Sequence, residues 1–222
     1  VTKPLTLGQD YDQDDSVFPS LTADGGQVAF TSRSNDLVAN DTNGVSDVFR
    51  AAVTWGDDVP PALSLPQFPI SVPADRPDGA VVTYTVTATD TDDPNPTVSC
   101  TPASGSVFPI GDTTVTCKAT DASGNSATGS FSVHVQGVDE QLGELKWMVD
   151  TFDMDRKVRA DLQDKLAAVR AALDTGRTRT ACSVLRGFVN EVQDESGKGL
   201  TVDLAAVLIE RANRIRGVLA CG

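Results

Sequence analysis

Hydrophobic positions recur at two different periods along this chain, and the change comes near residue 137. Ahead of it the pattern is alternation. Val81, Thr83, Thr85 and Thr87 interleave with Val82, Tyr84, Val86 and Ala88, which predicts one continuous strand over 81–88. Residues 114–119 form a second alternating run, introduced by Gly111-Asp112, and residues 131–135 a third, after Ser123-Gly124-Asn125. In the third, Phe131, Val133 and Val135 face inward and His134 faces outward as a solvated residue. Two earlier strands, 27–31 and 47–51, each follow a turn sequence, Asp24-Gly25-Gly26 and Asp41-Thr42-Asn43-Gly44. Between them and the third region, 54–61 reads as a linker, because Pro60-Pro61 disfavours regular structure.

After Gly137 the spacing becomes helical. Leu142, Leu145, Met148, Val149 and Phe152 form one stripe, and Leu162, Leu166, Val169 and Leu173 a second. Leu185, Phe188, Val189 and Val192 form a third, and Leu204, Val207, Leu208, Ile215, Val218 and Leu219 a fourth. Gly176, Gly197 and Gly199 punctuate these runs, and Thr201 is placed as an N-cap. Three or four helices in a small bundle are expected, with Trp147 as a core aromatic. The connection Gln136-Gly137-Val138 is too short to swing freely yet contains a glycine hinge.

Charge sharpens the division. Residues 1–138 hold 17 Asp, no Glu and five basic residues, whereas residues 139–222 hold 14 acidic and 13 basic ones. Asp serves turns through its short side chain and Glu favours helices, so the front is turn-rich β and the back helical. An acidic front half also argues against nucleic acid, which is bound by Lys and Arg clusters. No apolar run approaches the roughly 18 residues that span a bilayer, so no transmembrane segment is expected. With no initiator Met and no signal-peptide pattern, the chain is expected to be a processed product or a piece of something longer.

The four cysteines divide by region, Cys100 with Cys117 in the β stretch and Cys182 with Cys221 in the helical one. None has C-x-x-C spacing, and a single His leaves little for a zinc site. Two disulfides and an oxidising compartment are the expectation. Four buried free thiols are the alternative, which fits poorly with the pairing by region.

Residues 59–136 resemble the HYR (hyalin repeat) domain, an immunoglobulin-like sandwich. The residues that carry this are Pro60-Pro61, Thr87-Ala88-Thr89-Asp90, Val98-Ser99-Cys100, the stretch 102–111, Thr114-Val115-Thr116-Cys117 and Ala119-Thr120-Asp121-Ala122-Ser123-Gly124-Asn125. The resemblance implies that Cys100 pairs with Cys117, that the domain is an adhesion or spacer module, and that it brings no catalytic residues. Residues 16–53 resemble one repeat of the TolB-like propeller family, through 19–25, 28–32, 34–38 and 41–49. A propeller closes with about four to eight blades, so an incomplete blade is expected, the last of a propeller lying upstream or lost. Residues 140–221 resemble the FIMAH-type helical domain of secreted bacterial proteins, through Ala181-Cys182, Leu185, Phe188, Val192, the stretch 196–201, Ala205, Ala212, Ile215, Leu219 and Cys221. The expected architecture is therefore multidomain β plus α. A partial blade and linker (1–58) precede an immunoglobulin-like antiparallel β-sandwich (59–136) and a small disulfide-linked helical bundle (137–222).

Calcium is the one cofactor the sequence hints at. Asp41, Asn43 and Asp47 with Gly44 make a short oxygen-rich loop, and Asp10, Asp12 and Asp14 an acidic run. Ca²⁺ takes six to eight oxygens at about 2.3–2.6 Å, which alternating Asp and Asn can supply. Neither stretch has the bidentate Glu of an EF-hand. The competing readings are Asx turns at 41–47 and a solvated tail at 10–15. Asp90, Asp92 and Asp93 read as a strand-end turn, with an interdomain site as the alternative. No G-x-S-x-G, H-E-x-x-H, P-loop or dinucleotide fingerprint is present, so no catalytic residues are assigned. The leading function is a non-catalytic, secreted adhesion or spacer region of a larger bacterial protein. Its partner would be a cell-surface, matrix-protein or glycan ligand. The alternatives are an accessory region of a secreted enzyme whose catalytic domain lies upstream, and a calcium-stiffened scaffold.

Overall fold

The computed structural model describes residues 17–21, 27–32, 47–52 and 57–222. The chain divides into two compact units, Val1–Asp57 and Asp58–Gly222.

In the first unit, β1 (Val17–Leu21), β2 (Gln27–Ser32) and β3 (Asp47–Ala52) form an antiparallel sheet in chain order. The alternation over 27–31 and 47–51 places β2 and β3. β1 carries Pro19, which cannot donate to a ladder, and it lies at the sheet edge with its register shifted between Val17 and Ser20.

The second unit begins with eight strands. They are β4 (Ala62–Ser64), β5 (Ile70–Pro73), β6 (Ala80–Val82), β7 (Thr87–Thr89), β8 (Thr97–Thr101), β9 (Ser106–Phe108), β10 (Gly111–Thr120) and β11 (Ser126–Gln136). The main sheet has the order β5-β11-β10-β8 and is antiparallel except where β5 runs parallel to β11. Two smaller ladders, β4-β7 and β6-β9, complete the β region. Their inward positions share one core built on Val82, Phe108, Val115, Cys117, Phe131, Val133 and Val135.

The strand expected over 81–88 is two strands. β6 pairs with β9 while β7 pairs with β4, so the chain changes partner at Tyr84. There Ser104 stands in for a neighbouring strand. The Tyr84 N–H donates to Ser104 Oγ (2.9 Å), and that hydroxyl donates to the Tyr84 carbonyl (2.8 Å). The Tyr84 ring meets Phe131 edge-on at 5.0 Å, and its hydroxyl donates to the Pro102 carbonyl. Alternation reports which face a residue takes, not which strand lies beside it, so such a switch leaves the pattern intact.

β10 and β11 are longer than their apolar runs. Residues 126–130 carry no large inward hydrophobe, but each opposes a β10 residue in an unbroken ladder from Gly111↔Val135 to Thr120↔Ser126. Gly129 suits this place because a β-carbon there would lie 2.7 Å from Leu65 Cδ1.

Four helices follow: α1 (Val138–Thr151), α2 (Arg156–Asp174), α3 (Thr178–Glu195) and α4 (Val202–Val218). Asp155 caps α2 by accepting from the Lys157 and Val158 N–H groups, and Thr201 caps α4 by accepting from Leu204 N–H. Gly176 turns the chain between α2 and α3 with φ +68°. Leu145, Leu162, Leu185, Phe188, Leu208 and Ile215 are fully buried in one core.

Three core assignments are corrected. Trp147 is 60 % exposed, and its ring stands edge-on to Phe152, itself 40 % exposed, at 5.7 Å. Val207 is exposed as well. The buried line on α1 is Leu142, Leu145 and Val149, and on α4 it is Ala205, Leu208, Ala212 and Ile215. Trp147 lies two residues from Leu145, and Val207 two from Ala205, an interval that does not face the same side of a helix.

Candidate functional site

Two places in the second unit gather polar side chains away from the hydrophobic cores. One is an acidic corner formed where β7 and β10 end. Asp90 follows β7, and its Oδ1 accepts from the N–H groups of Asp92 (3.0 Å) and Asp93 (2.9 Å). Asp93 Oδ1 accepts from Asn95 N–H (2.8 Å). Asp121 follows β10, and its Oδ1 accepts from Asn125 N–H (2.8 Å) across the turn into β11. The two turns are stitched together by Asp93 Oδ2, which accepts from Ala122 N–H at 2.9 Å. The turn reading of Asp90, Asp92 and Asp93 therefore matches the structure. The contribution of Asp121 was not foreseen, because it lies 31 residues away in sequence and ends a different strand.

The other place is the junction of the β region with the helices. β11 ends at Gln136 and α1 starts at Val138, with Gly137 in ordinary extended geometry (φ −80°) between them. The expected glycine hinge is thus clamped rather than free. Glu140 Oε2 accepts from the Gly137 N–H at 3.0 Å. The side chain of Gln141, 5 % exposed, donates to the carbonyls of Ala74 and Gln136, both at 3.0 Å. Glu144 receives Gln136 Nε2 on one oxygen and Arg211 Nη1 of α4 on the other, each at 2.7 Å. Val218 of α4 and Val138 of α1 join the hydrophobic cluster of the β region.

His134 belongs to this junction. It faces outward from β11 as its period requires, but it is bridged rather than solvated. Nδ1 lies 2.7 Å from Asp112 Oδ1, and Nε2 lies 2.8 Å from Glu140 Oε1. Hydrogen bonds to Asp112 and then Glu140 hold its pKa above the usual imidazole value. The same bond to His134, then that from the Gly137 N–H, hold Glu140 below the usual carboxylate value.

Residues 56–135 match the family model of the HYR domain. No curated protein matches the chain. The HYR segment covers β4 to β11 up to Val135 and stops at the residue pair before α1, so it contains the acidic corner and, from the junction, Ala74, Asp112 and His134 but not Gln136. Its two cysteines stand directly opposite one another on β8 and β10. Cys100 and Cys117 are bonded, with their Cα atoms 4.0 Å apart. Cys182 of α3 is bonded to Cys221 just beyond α4, with Cα atoms 5.5 Å apart. All four cysteines are thereby used in bonds.

The first calcium candidates fall elsewhere. Asp41 and Asn43 lie outside the described residues, as do Asp10, Asp12 and Asp14. Asp47 is the first residue of β3, opposite Ser32. Among the described residues, no helix is long and apolar enough to cross a membrane. A groove on the helical surface, between residues 153–155 and 197–201, is shallow and open. Its walls are held by structural bonds, including Asp155 N–H to the Gly199 carbonyl at 2.9 Å.

Proposed function

We propose that this chain is a non-catalytic extracellular adhesion or spacer region of a larger secreted bacterial protein. The observation that carries the reading is the HYR match over residues 56–135. Two disulfides support an oxidising compartment, where such bonds persist. The β region is read as an immunoglobulin-like sandwich, supported by inward residues of its main sheet and its small ladders meeting in one core. Residues 1–58 are read as part of a TolB-like blade, supported by the antiparallel order β1-β2-β3. Residues 137–222 are read as a FIMAH-type helical domain, supported by four helices closed by the Cys182–Cys221 bond.

A spacer must transmit position, and the junction is suited to that. Glu140 accepts from the Gly137 N–H, Gln141 donates to the Ala74 and Gln136 carbonyls, and Glu144 accepts from Gln136 Nε2, which together tie α1 to the β region. The ligand expected is a cell-surface or matrix protein or a glycan. The test is retention of the labelled full chain on bacterial cells, matrix proteins and surface polysaccharides. Saturable retention on one of these classes, lost when both disulfides are reduced, is expected. Absence of retention on all of them, with unchanged surface attachment of a parent protein lacking the region, overturns the reading.

A further inference from the structure

The acidic corner holds more than turns. In Asp90 and in Asp121, one carboxylate oxygen closes a turn and the other, Oδ2, is buried without a hydrogen-bond partner. Asp121 is only 6 % exposed. Both side chains belong to a group of carboxylates that offer oxygens within 4.8 Å of one another.

Two such oxygens form an unfavourable arrangement on their own. A buried carboxylate oxygen left unpaired costs desolvation energy, and two like charges this close repel one another. The fold nevertheless enforces the approach, because Asp93 Oδ2 binds the Ala122 N–H and so fastens the Asp90 turn to the Asp121 turn. A polar cluster fixed by backbone bonds, with carboxylate oxygens of both residues within 4.8 Å of one another, has the make-up of a hard cation's coordination shell.

We propose that Asp90 and Asp121 are ligands of a Ca²⁺ site at this corner of the β region, each through its Oδ2. Ca²⁺ takes oxygen ligands in irregular geometry and completes its shell with water and carbonyls, whereas Mg²⁺ demands a near-ideal octahedron and gives up water reluctantly. Two loop carboxylates of unequal burial suit the former. The ion would neutralise the corner and lock the turns after β7 and β10 together. This holds whatever surface the chain binds.

The test is titration of the full chain with CaCl₂ by calorimetry, beside thermal melting in CaCl₂ and in EDTA. Asp90→Asn and Asp121→Asn are run in parallel. The amide oxygen of Asn still accepts the turn bonds, so each variant keeps its turn while losing the charge. Expected are saturable binding with a midpoint at about 10⁻⁴ to 10⁻³ M, as in extracellular modules, and a melting temperature raised by Ca²⁺ and reversed by EDTA. Each variant should bind at least tenfold more weakly, and in EDTA should melt no lower than the parent chain, since repulsion is relieved. Absence of heat and of a melting shift in the parent chain overturns the site. Binding undiminished in both variants also overturns it, because the ion then sits elsewhere.

Discussion

Gly217 of α4 packs directly against the carbonyl of Asp75, so closely that a β-carbon on Gly217 would lie 2.7 Å from that oxygen. The helix can approach the β region here only because the side chain is missing. Its neighbour Val218 then enters the hydrophobic cluster of the β region.

Replacing Gly217 with Ala should therefore destabilise the chain, although Ala is the better helix former. Overpacking of this kind costs about 1–3 kcal/mol. Gly187 in α3 is the control, because a β-carbon there meets nothing within 4 Å. Gly187→Ala should gain up to about 1 kcal/mol from helix propensity. Chemical denaturation of the two variants should move the midpoint in opposite directions.

Gln141→Leu keeps the volume of a buried side chain and removes its two bonds to the Ala74 and Gln136 carbonyls. Leaving a buried acceptor unpaired costs about 1–3 kcal/mol. The unfolding free energy should fall by that amount, read as a lower urea midpoint with little change in slope, since the surface exposed on unfolding is unaltered.

The two disulfides close loops of different length, with sequence separations of 17 and 39. In the chain-entropy model they contribute about 3 and about 4 kcal/mol respectively. The double variant Cys182→Ala with Cys221→Ala should therefore be less stable than Cys100→Ala with Cys117→Ala. Equilibrium denaturation of both in the same buffer checks the order.

His134 should give stability a pH window. Its pKa is raised in the folded chain, so its stabilisation is complete below the unfolded value of about 6.5 and is lost as pH rises through the folded value. Glu140 has the opposite sign, its contribution being present above about 4.3 and lost as pH falls through the lowered folded value. The gap in melting temperature between the parent chain and His134→Gln should be widest near pH 5.5 and should narrow by pH 8.

The periods of the sequence expose the inward residues well. Val115, Phe131, Val133 and Val135 are buried, as are Leu145, Leu162, Phe188 and Leu208. What they conceal is which elements meet. The alternation of 81–88 runs straight through the partner switch at Tyr84. β5 and β9 are short, and the parallel pairing of β5 with β11 has no local signature. The acidic corner was half legible, since Asp90 and Asp93 sit in a recognisable turn. Asp121 joins them only through the β10–β11 hairpin and the bond from Ala122 to Asp93. Gln141 reads as an unremarkable polar residue in a helix until Ala74 is brought to it by tertiary packing.

The spacer reading requires a stiff junction, and a distance measurement tests that requirement most directly. Spin labels would be placed at Lys118→Cys on the exposed face of β10 and at Ala168→Cys on the exposed side of α2. A single narrow distance distribution by pulsed electron paramagnetic resonance, broadened by Gly217→Ala or Gln141→Leu, is the predicted result. A broad distribution in the parent chain would mean that the β region and the helices move independently, and would contradict a rigid spacer.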